Sequence, residues 1–187
     1  MRIVVGLTGA SGIVYGIRLL EVLKEKSVET HLVMTAAARK TIELETDYEP
    51  SYVESLASRK YSYMDISAPI ASGTFKTDGM VVVPCSMKTL VGIAYGYEEN
   101  LVIRSALVTL KEGRKVVLVP RETPLTIPYL RAMLAAAEAG ATILPAMPAF
   151  YVRPRTIDDL VNFMVGRILD ILGIEHELYQ RWGSRSP

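Results

Sequence analysis

One recurring unit constrains this chain more than anything else. An apolar, β-branched run is followed by a segment whose apolar residues recur at helical spacing. Arg2–Leu7, Met80-Val81-Val82-Val83 and Lys115–Val119 are nearly unbroken apolar runs. Such runs suit strands buried on both faces, which occur where helices cover both sides of a parallel sheet. After the first run, Ile13, Ile17, Leu20 and Leu23 mark one helical face within Gly12–Lys26. Val28–Met34 reads as a second strand, Thr35–Thr46 as a helix and Pro50–Arg59 as a short helix. Tyr61–Thr77, broken by Pro69 and Ala71-Ser72-Gly73, reads as a long loop.

The pattern then resumes. Asp78–Pro84 is a central strand, Ser86–Tyr95 and Glu99–Glu112 are helical, Lys115–Val119 is a strand, Thr126–Ala139 a helix and Thr142–Leu144 a short strand. Thr156 and Asp159 form a capping-box variant that opens a last helix over Thr156–Leu172. Tyr179–Pro187 is polar and is expected to fray or to dock elsewhere. The alternation predicts an α/β fold: a three-layer sandwich around a parallel sheet, joined by right-handed crossovers, with all 187 residues in a single domain.

Composition removes several function classes. Twenty-one Lys and Arg against 20 Asp and Glu give a net charge of +1, so no field of one sign argues for nucleic acid or an anionic membrane. The single cysteine, Cys85, allows no intramolecular disulfide and suits a reducing compartment. One cysteine and two distant histidines, His31 and His176, lack the spacing of a zinc site. The opening apolar run turns at Thr8–Gly12 and reads as a strand, not as a signal peptide. Ala132–Val152, the longest weakly charged stretch, holds Pro145 and Pro148 and cannot be one spanning helix. These readings imply a soluble, cytoplasmic protein.

Ligands of parallel sheets bind outside the carboxyl ends of strands, which singles out three segments. Thr8-Gly9-Ala10-Ser11-Gly12 joins strand to helix with small residues that admit a ligand to the backbone, and a helix N-terminus there could face an anion. It is equally a tight turn capped by serine, and it matches neither a dinucleotide fingerprint nor a P-loop. Pro84-Cys85-Ser86-Met87-Lys88-Thr89 offers hydroxyls beside first-turn amides, suited to a phosphate or a flavin edge; the simpler reading is that Ser86 only caps a helix. Cys85, at the end of a buried strand with no histidine nearby in sequence, reads as a packed thiol. Pro120-Arg121-Glu122-Thr123-Pro124 places a bidentate phosphate binder beside a general acid or base, or else a surface ion pair. Together these segments suit a phosphorylated cofactor and a second anionic substrate.

With these residues assembled, the chain resembles the UbiX-like flavin prenyltransferases. The resemblance runs from Thr8–Gly12 through Glu45-Thr46-Asp47, Ala71-Ser72-Gly73, Pro84-Cys85-Ser86, Leu110-Lys111-Glu112, Leu118–Glu122 and Pro148–Tyr151 to Gln180–Gly183. It implies a Rossmann- or flavodoxin-like sandwich assembled as a homododecamer. It implies binding of reduced FMN and dimethylallyl monophosphate, without a metal. The reaction it implies joins the prenyl carbon to flavin N5, expels phosphate and closes a ring at C6; the prenylated FMN then serves UbiD-like decarboxylases.

Carried over by matching motif, the resemblance implies FMN contacts at Gly9, Ala10, Ser11, Thr35, Ser86, Met87, Lys88, Thr89 and Arg121. Thr35 stands where the family usually has serine and keeps the hydroxyl. Prenyl-phosphate contacts fall on Lys111, Arg121, Glu122, Tyr151 and Arg167, some from neighbouring subunits. Catalytic roles fall on Glu122, Lys111 and the pair Ser11 and Glu45. No tryptophan occurs near Ile66, where some members carry one.

Simpler readings stand beside these. Arg167, at the edge of an apolar stripe, could be a snorkelling arginine. Lys111 could interact with a helix dipole, Tyr151 could be an interface aromatic, and Glu45 could be a solvated helix residue. Two other functions compete: an FMN-dependent cysteine-type decarboxylase, opposed by the lack of any histidine between His31 and His176, and a non-catalytic flavin carrier subunit of a decarboxylase, opposed by the presence of the phosphate-handling set.

Overall fold

The computed structural model describes residues 1–183. Its six strands are β1 (Arg2–Leu7), β2 (Glu29–Met34), β3 (Arg59–Ser62), β4 (Gly79–Cys85), β5 (Lys115–Pro120) and β6 (Thr142–Ile143). Seven α-helices connect or cover them: α1 (Ile13–Glu25), α2 (Ala36–Glu45), α3 (Pro50–Ser55), α4 (Met87–Tyr95), α5 (Leu101–Lys111), α6 (Ile127–Glu138) and α7 (Ile157–Leu172). The strand order is β3-β2-β1-β4-β5-β6, and every neighbouring pair is parallel. The expected parallel sandwich is therefore present. The chain winds outward from β1 to β3, then restarts at β4 and winds the other way. That reversal opens a crevice between the carboxyl ends of β1 and β4, the place where doubly wound sheets take ligands.

The unbroken apolar runs divide cleanly between the two faces. Ile3, Val5 and Leu7 of β1, Val81 and Val83 of β4, and Val117 and Val119 of β5 pack with α1 and α7. Val4, Met80, Val82, Val116 and Leu118 point the other way, toward α4, α5 and α6. Each strand is thus apolar at every position because each face has its own helical layer. Close approach needs small residues at two points. A Cβ on Gly16 of α1 would lie 2.5 Å from the Val83 carbonyl oxygen, and one on Gly6 of β1 would lie 2.9 Å from Val102 of α5.

The strand β3 is a departure from the sequence reading, which ended a helix at Arg59 and began a loop at Tyr61. The helix α3 stops at Ser55, and Arg59–Ser62 pairs with β2 alone. As an edge strand it has no buried apolar run; three of its four residues are exposed. The rest of the long loop holds only a single 3-10 turn at Pro69–Ala71. The helix α5 starts two residues later than expected because the Asn100 side chain caps it, accepting from the Ile103 N–H at 3.2 Å. The capping box of α7 is present in both directions. Tyr179 folds back over α7 at Gly166, where an added Cβ would lie 2.6 Å from its ring; Ser184–Pro187, the end of the stretch expected to fray or dock, lies outside the described residues.

Replacing Gly16 with alanine forces α1 off the sheet. Urea unfolding of Gly16→Ala is expected to show a loss of about 1–3 kcal/mol; an unchanged midpoint would mean that α1 shifts without cost.

Candidate functional site

The crevice is built around one buried hydroxyl. Thr8, the residue after β1, donates from Oγ1 to the Pro84 carbonyl at 2.7 Å and accepts from the Ser86 N–H at 2.8 Å. It is 1% exposed. The first turn is thereby tied to the one that ends β4. Gly9 follows, and a Cβ there would meet the Ala37 methyl at 2.3 Å, so the turn after β1 touches the start of α2. Thr35 caps α2 by accepting from the Ala38 N–H at 3.1 Å. Ser86 caps α4 by accepting from the Thr89 N–H at 3.3 Å, and its hydroxyl donates to Thr89 Oγ1 at 3.1 Å. The simpler reading of Ser86 as a cap is therefore correct as geometry. It leaves the first-turn amides of Met87 and Lys88 without an intrahelical partner.

These pieces line a cleft of about 450 Å³. Its floor is Gly9, Ala36 and Ala37; Thr35, Ser86 and Thr89 supply hydroxyls, and Tyr63, Met64 and Ile103 supply apolar walls. Lys88 stands at the rim, paired with Glu99 at 2.9 Å. A flat aromatic ring with polar edges and a phosphate tail fits this combination of small floor, apolar wall and amide-rich helix start. Tyr63, Met64 and Asn100 were not named from sequence. Asn100 could have been, since it precedes an apolar period as a cap does. Tyr63 and Met64 sit in irregular chain, which carries no periodic signal.

The helix start at α1 differs from expectation. Its first amides do not await an anion: the Glu45 carboxylate accepts from the Gly12 N–H at 2.8 Å and the Ile13 N–H at 3.1 Å. The protein's own anion thus fills that position, brought there by the end of α2. Glu45 is also not simply a solvated helix residue, and no side-chain cap from Ser11 is formed. Arg121, just past β5, donates from Nε to the Ser11 carbonyl at 3.3 Å, which joins the third strand end to the first. It makes no ion pair with Glu122; the Glu122 carboxylate instead accepts from the Thr123 N–H at 3.2 Å. Cys85 is fully buried, and burial pushes its thiol well up from the ordinary value, so it is not a nucleophile at neutral pH.

Three expected residues lie apart from this group. Lys111 ends α5, separated by three residues from Lys115 where β5 starts, and so lies at the sheet's amino edge, opposite the crevice; it pairs with the Glu112 carboxylate at 3.7 Å. Tyr151 meets Phe163 and Trp182 edge-on, with ring centroids 6.0 and 5.2 Å away. Arg167 pairs with Asp170 at 2.9 Å and contacts the Tyr179 hydroxyl at 3.3 Å. It is not a lone snorkelling side chain. His176 is bonded to Asp170 at 3.0 Å and His31 to Tyr61 at 2.8 Å, so both histidines serve the structure.

The comparisons with known proteins agree with this geometry. The flavoprotein family model matches residues 1–169. Flavin prenyltransferase UbiX of Escherichia coli (strain K12) is 50% identical over 184 residues, which cover 97% of each chain. The chain belongs to the UbiX-like flavin prenyltransferases of the flavoprotein family. A solved structure of AnUbiX (PadA1) in complex with FMN and dimethylallyl pyrophosphate superposes on this prenyltransferase-family chain with a TM-score of 0.97, at 49% identity, covering 99% of this chain and 98% of that one. The dodecameric FMN-dependent UbiX-like decarboxylase from Escherichia coli O157:H7 gives 0.96 at 52% identity, covering 98% and 100%. The peptidyl-cysteine decarboxylase EpiD shares only the fold, at 12% identity and a TM-score of 0.66. Among the described residues of this family member, no group of three or more His, Cys, Asp or Glu is placed to hold a metal ion, and no helix is long and apolar enough to cross a membrane.

Asp170 sets a pH dependence. Burial opposes its ionisation, but hydrogen bonds from Tyr179, Arg181 and His176 outweigh that and hold the carboxyl at about 2, against an ordinary 3.8. Because the folded value is depressed, its contribution is full above 3.8 and is lost as the pH falls through about 2. The fluorescence anisotropy of Trp182, the chain's one tryptophan, should therefore stay level down to mildly acid pH and drop only in that acid window. A drop near neutrality would assign the docking of the tail to another group.

Proposed function

We propose that the chain transfers a dimethylallyl group from dimethylallyl monophosphate to N5 and C6 of reduced FMN and releases phosphate. The observation that carries this reading is the crevice itself. Thr8 ties two strand ends together, a small-residue floor and first-turn amides suit a flavin, and Arg121 and Glu122 stand at the third strand end. When bound, the flavin supplies the nucleophilic ring atoms. The protein's share is to bind, to orient and to handle charge and protons.

The Arg121 guanidinium, held by the Ser11 carbonyl, has further donors for a phosphate. On this reading Glu122 beside it gives a proton to the departing phosphate, which lowers the charge that builds on it. On this reading Ser11, in the first turn, and Glu45, bonded to the amides that follow it, would take protons from the reacting edge of a bound flavin. Cleavage of an allylic C–O bond spreads positive charge over the prenyl unit; an aromatic face stabilises such charge by about 2 kcal/mol when water is excluded, and on this reading Tyr151, which lies apart from its own crevice, supplies one to a neighbouring copy's.

Lys111 lies at the far edge of its own sheet, so on this reading it acts in a neighbouring copy's crevice. Subunit assembly is thereby part of the function. The exposed apolar stripe Ile127, Leu130 and Leu134 on α6 supports a homo-oligomer, and the dodecameric relative supports twelve subunits. The product would pass to a UbiD-like decarboxylase in the cytoplasm. A cysteine-type decarboxylase is not favoured: similarity to those enzymes is confined to the fold, and both histidines have structural partners.

Anaerobic incubation with reduced FMN and either dimethylallyl monophosphate or the diphosphate, followed by mass spectrometry of the released flavin, tests the reading. The expected result is a gain of one C5 unit, faster with the monophosphate. Flavin returned unmodified with both donors would favour a carrier. In the same assay Glu122→Gln should bind FMN normally and slow prenylation by about 100-fold or more, as loss of a general acid does; unchanged turnover would remove Glu122 from acid–base work.

A further inference from the structure

The Arg167 side chain is anchored at one corner. Its Nη1 is bonded to Asp170 Oδ2 at 2.9 Å and to the Tyr179 hydroxyl at 3.3 Å, and the side chain is 44% exposed. No other hydrogen bond of the guanidinium is formed among the described residues. Its Nε and Nη2 edge is thus left open, and a guanidinium fixed along one side presents the remaining pair of N–H groups in the geometry that grips a phosphate bidentately.

Asp170 is the centre of this arrangement. Its Oδ1 takes His176 at 3.0 Å and Arg181 at 2.7 Å, while Oδ2 takes Tyr179 and Arg167. The side chain is only 16% exposed, and that of His176 only 1%. Four partners on one carboxylate exceed what ordinary helix pairing needs, where a single i, i+3 partner suffices. The bonds bring residues beyond the end of α7 back onto its middle, over Gly166, which has no side chain to obstruct Tyr179 and His176. The Tyr179 ring in turn packs on Phe163 at 4.8 Å, and Phe163 meets Tyr151. One carboxylate therefore connects two of the five expected prenyl-phosphate residues, Arg167 by direct ion pairing and Tyr151 through two rings.

We propose that Asp170 is a positioning residue for prenyl-phosphate binding: it holds the Arg167 guanidinium with its free edge outward and pins the Tyr179–Trp182 segment beside Tyr151. The inference rests on the prenyltransferase reading and on the role given there to Arg167. Asp170 touches neither substrate. It acts by removing conformations in which Arg167 swings into solvent, so its loss weakens capture of the phosphate and not of the flavin.

The test compares Asp170→Asn, Arg167→Gln and the double variant in the full oligomer, with Tyr179→Phe as the milder change should Asp170→Asn fail to fold. Asp170→Asn is expected to raise the KM for dimethylallyl monophosphate about tenfold, the usual cost of releasing a charged hydrogen-bond partner, with the Kd for FMN unchanged. Tyr179→Phe should raise it less, in the same direction. In the Arg167→Gln background, adding Asp170→Asn should raise KM clearly less than it does in the wild type, because the main group it positions is gone and only the segment beside Tyr151 is left to loosen. Asp170→Asn that leaves KM at the wild-type value while Arg167→Gln raises it would overturn the inference and spare the functional reading. Equal effects in both backgrounds, or a matching loss of FMN affinity, would make Asp170 a general structural residue. Wild-type protein that forms no prenylated flavin would overturn the functional reading itself, and an inert Arg167→Gln would overturn the role given to Arg167.

Discussion

The site depends first on the buried hydroxyl of Thr8. It bridges a carbonyl and an amide of the turn that ends β4, and so closes the gap that the reversal of winding opens between β1 and β4. A buried backbone amide and carbonyl left without partners would each cost about 1–3 kcal/mol, so the two turns cannot separate freely. The neighbouring features follow from that closure. Gly9 can lie against Ala37 because the first turn is held flat, and Ser86 can cap α4 because its backbone amide is fixed by Thr8. Arg121 then reaches Ser11 from the next strand. Three segments distant in sequence are thereby joined by hydrogen bonds through Thr8 and Arg121.

Electrostatics divides the candidate site residues into two kinds. Glu45 is committed to the amides of Gly12 and Ile13, and Arg167 is committed on one side to Asp170. Arg121, by contrast, uses one donor and keeps the rest. On the proposed reading the site takes two anionic molecules next to each other, and this economy suits it. Arg121 and Arg167 are each oriented through one side of the guanidinium while presenting free donors, and the start of α1, already filled by the Glu45 carboxylate, is closed to a second anion.

Much of this was legible in the residues. Strands with apolar residues at every position identified the parallel sheet, and the residues after β1, β4 and β5 identified the crevice. What could not be read has physical causes. The edge strand β3 is polar and pairs on one side only, so it leaves no periodic trace. The capture of α1's amides by Glu45 depends on a contact across 33 positions. The Asp170 cluster joins α7 to residues up to 11 positions away in irregular chain, where Tyr179 and Arg181 show no spacing that marks them. Lys111 is the sharpest case. Its motif was readable, yet only the topology reveals that it stands at the opposite edge of the sheet from Glu122.

On the proposed reading that separation means that one crevice is completed by two copies of the chain. It is tested by mixing. Glu122→Gln and Lys111→Ala oligomers should each be nearly inactive in forming prenylated flavin. Dissociated and reassembled together in equal amounts, they should regain about a quarter of wild-type activity, because random assembly around heterologous interfaces pairs two intact contributions at one site in four. Mixed oligomers no more active than the average of the two parents would contradict the account and place both residues in a single subunit's site.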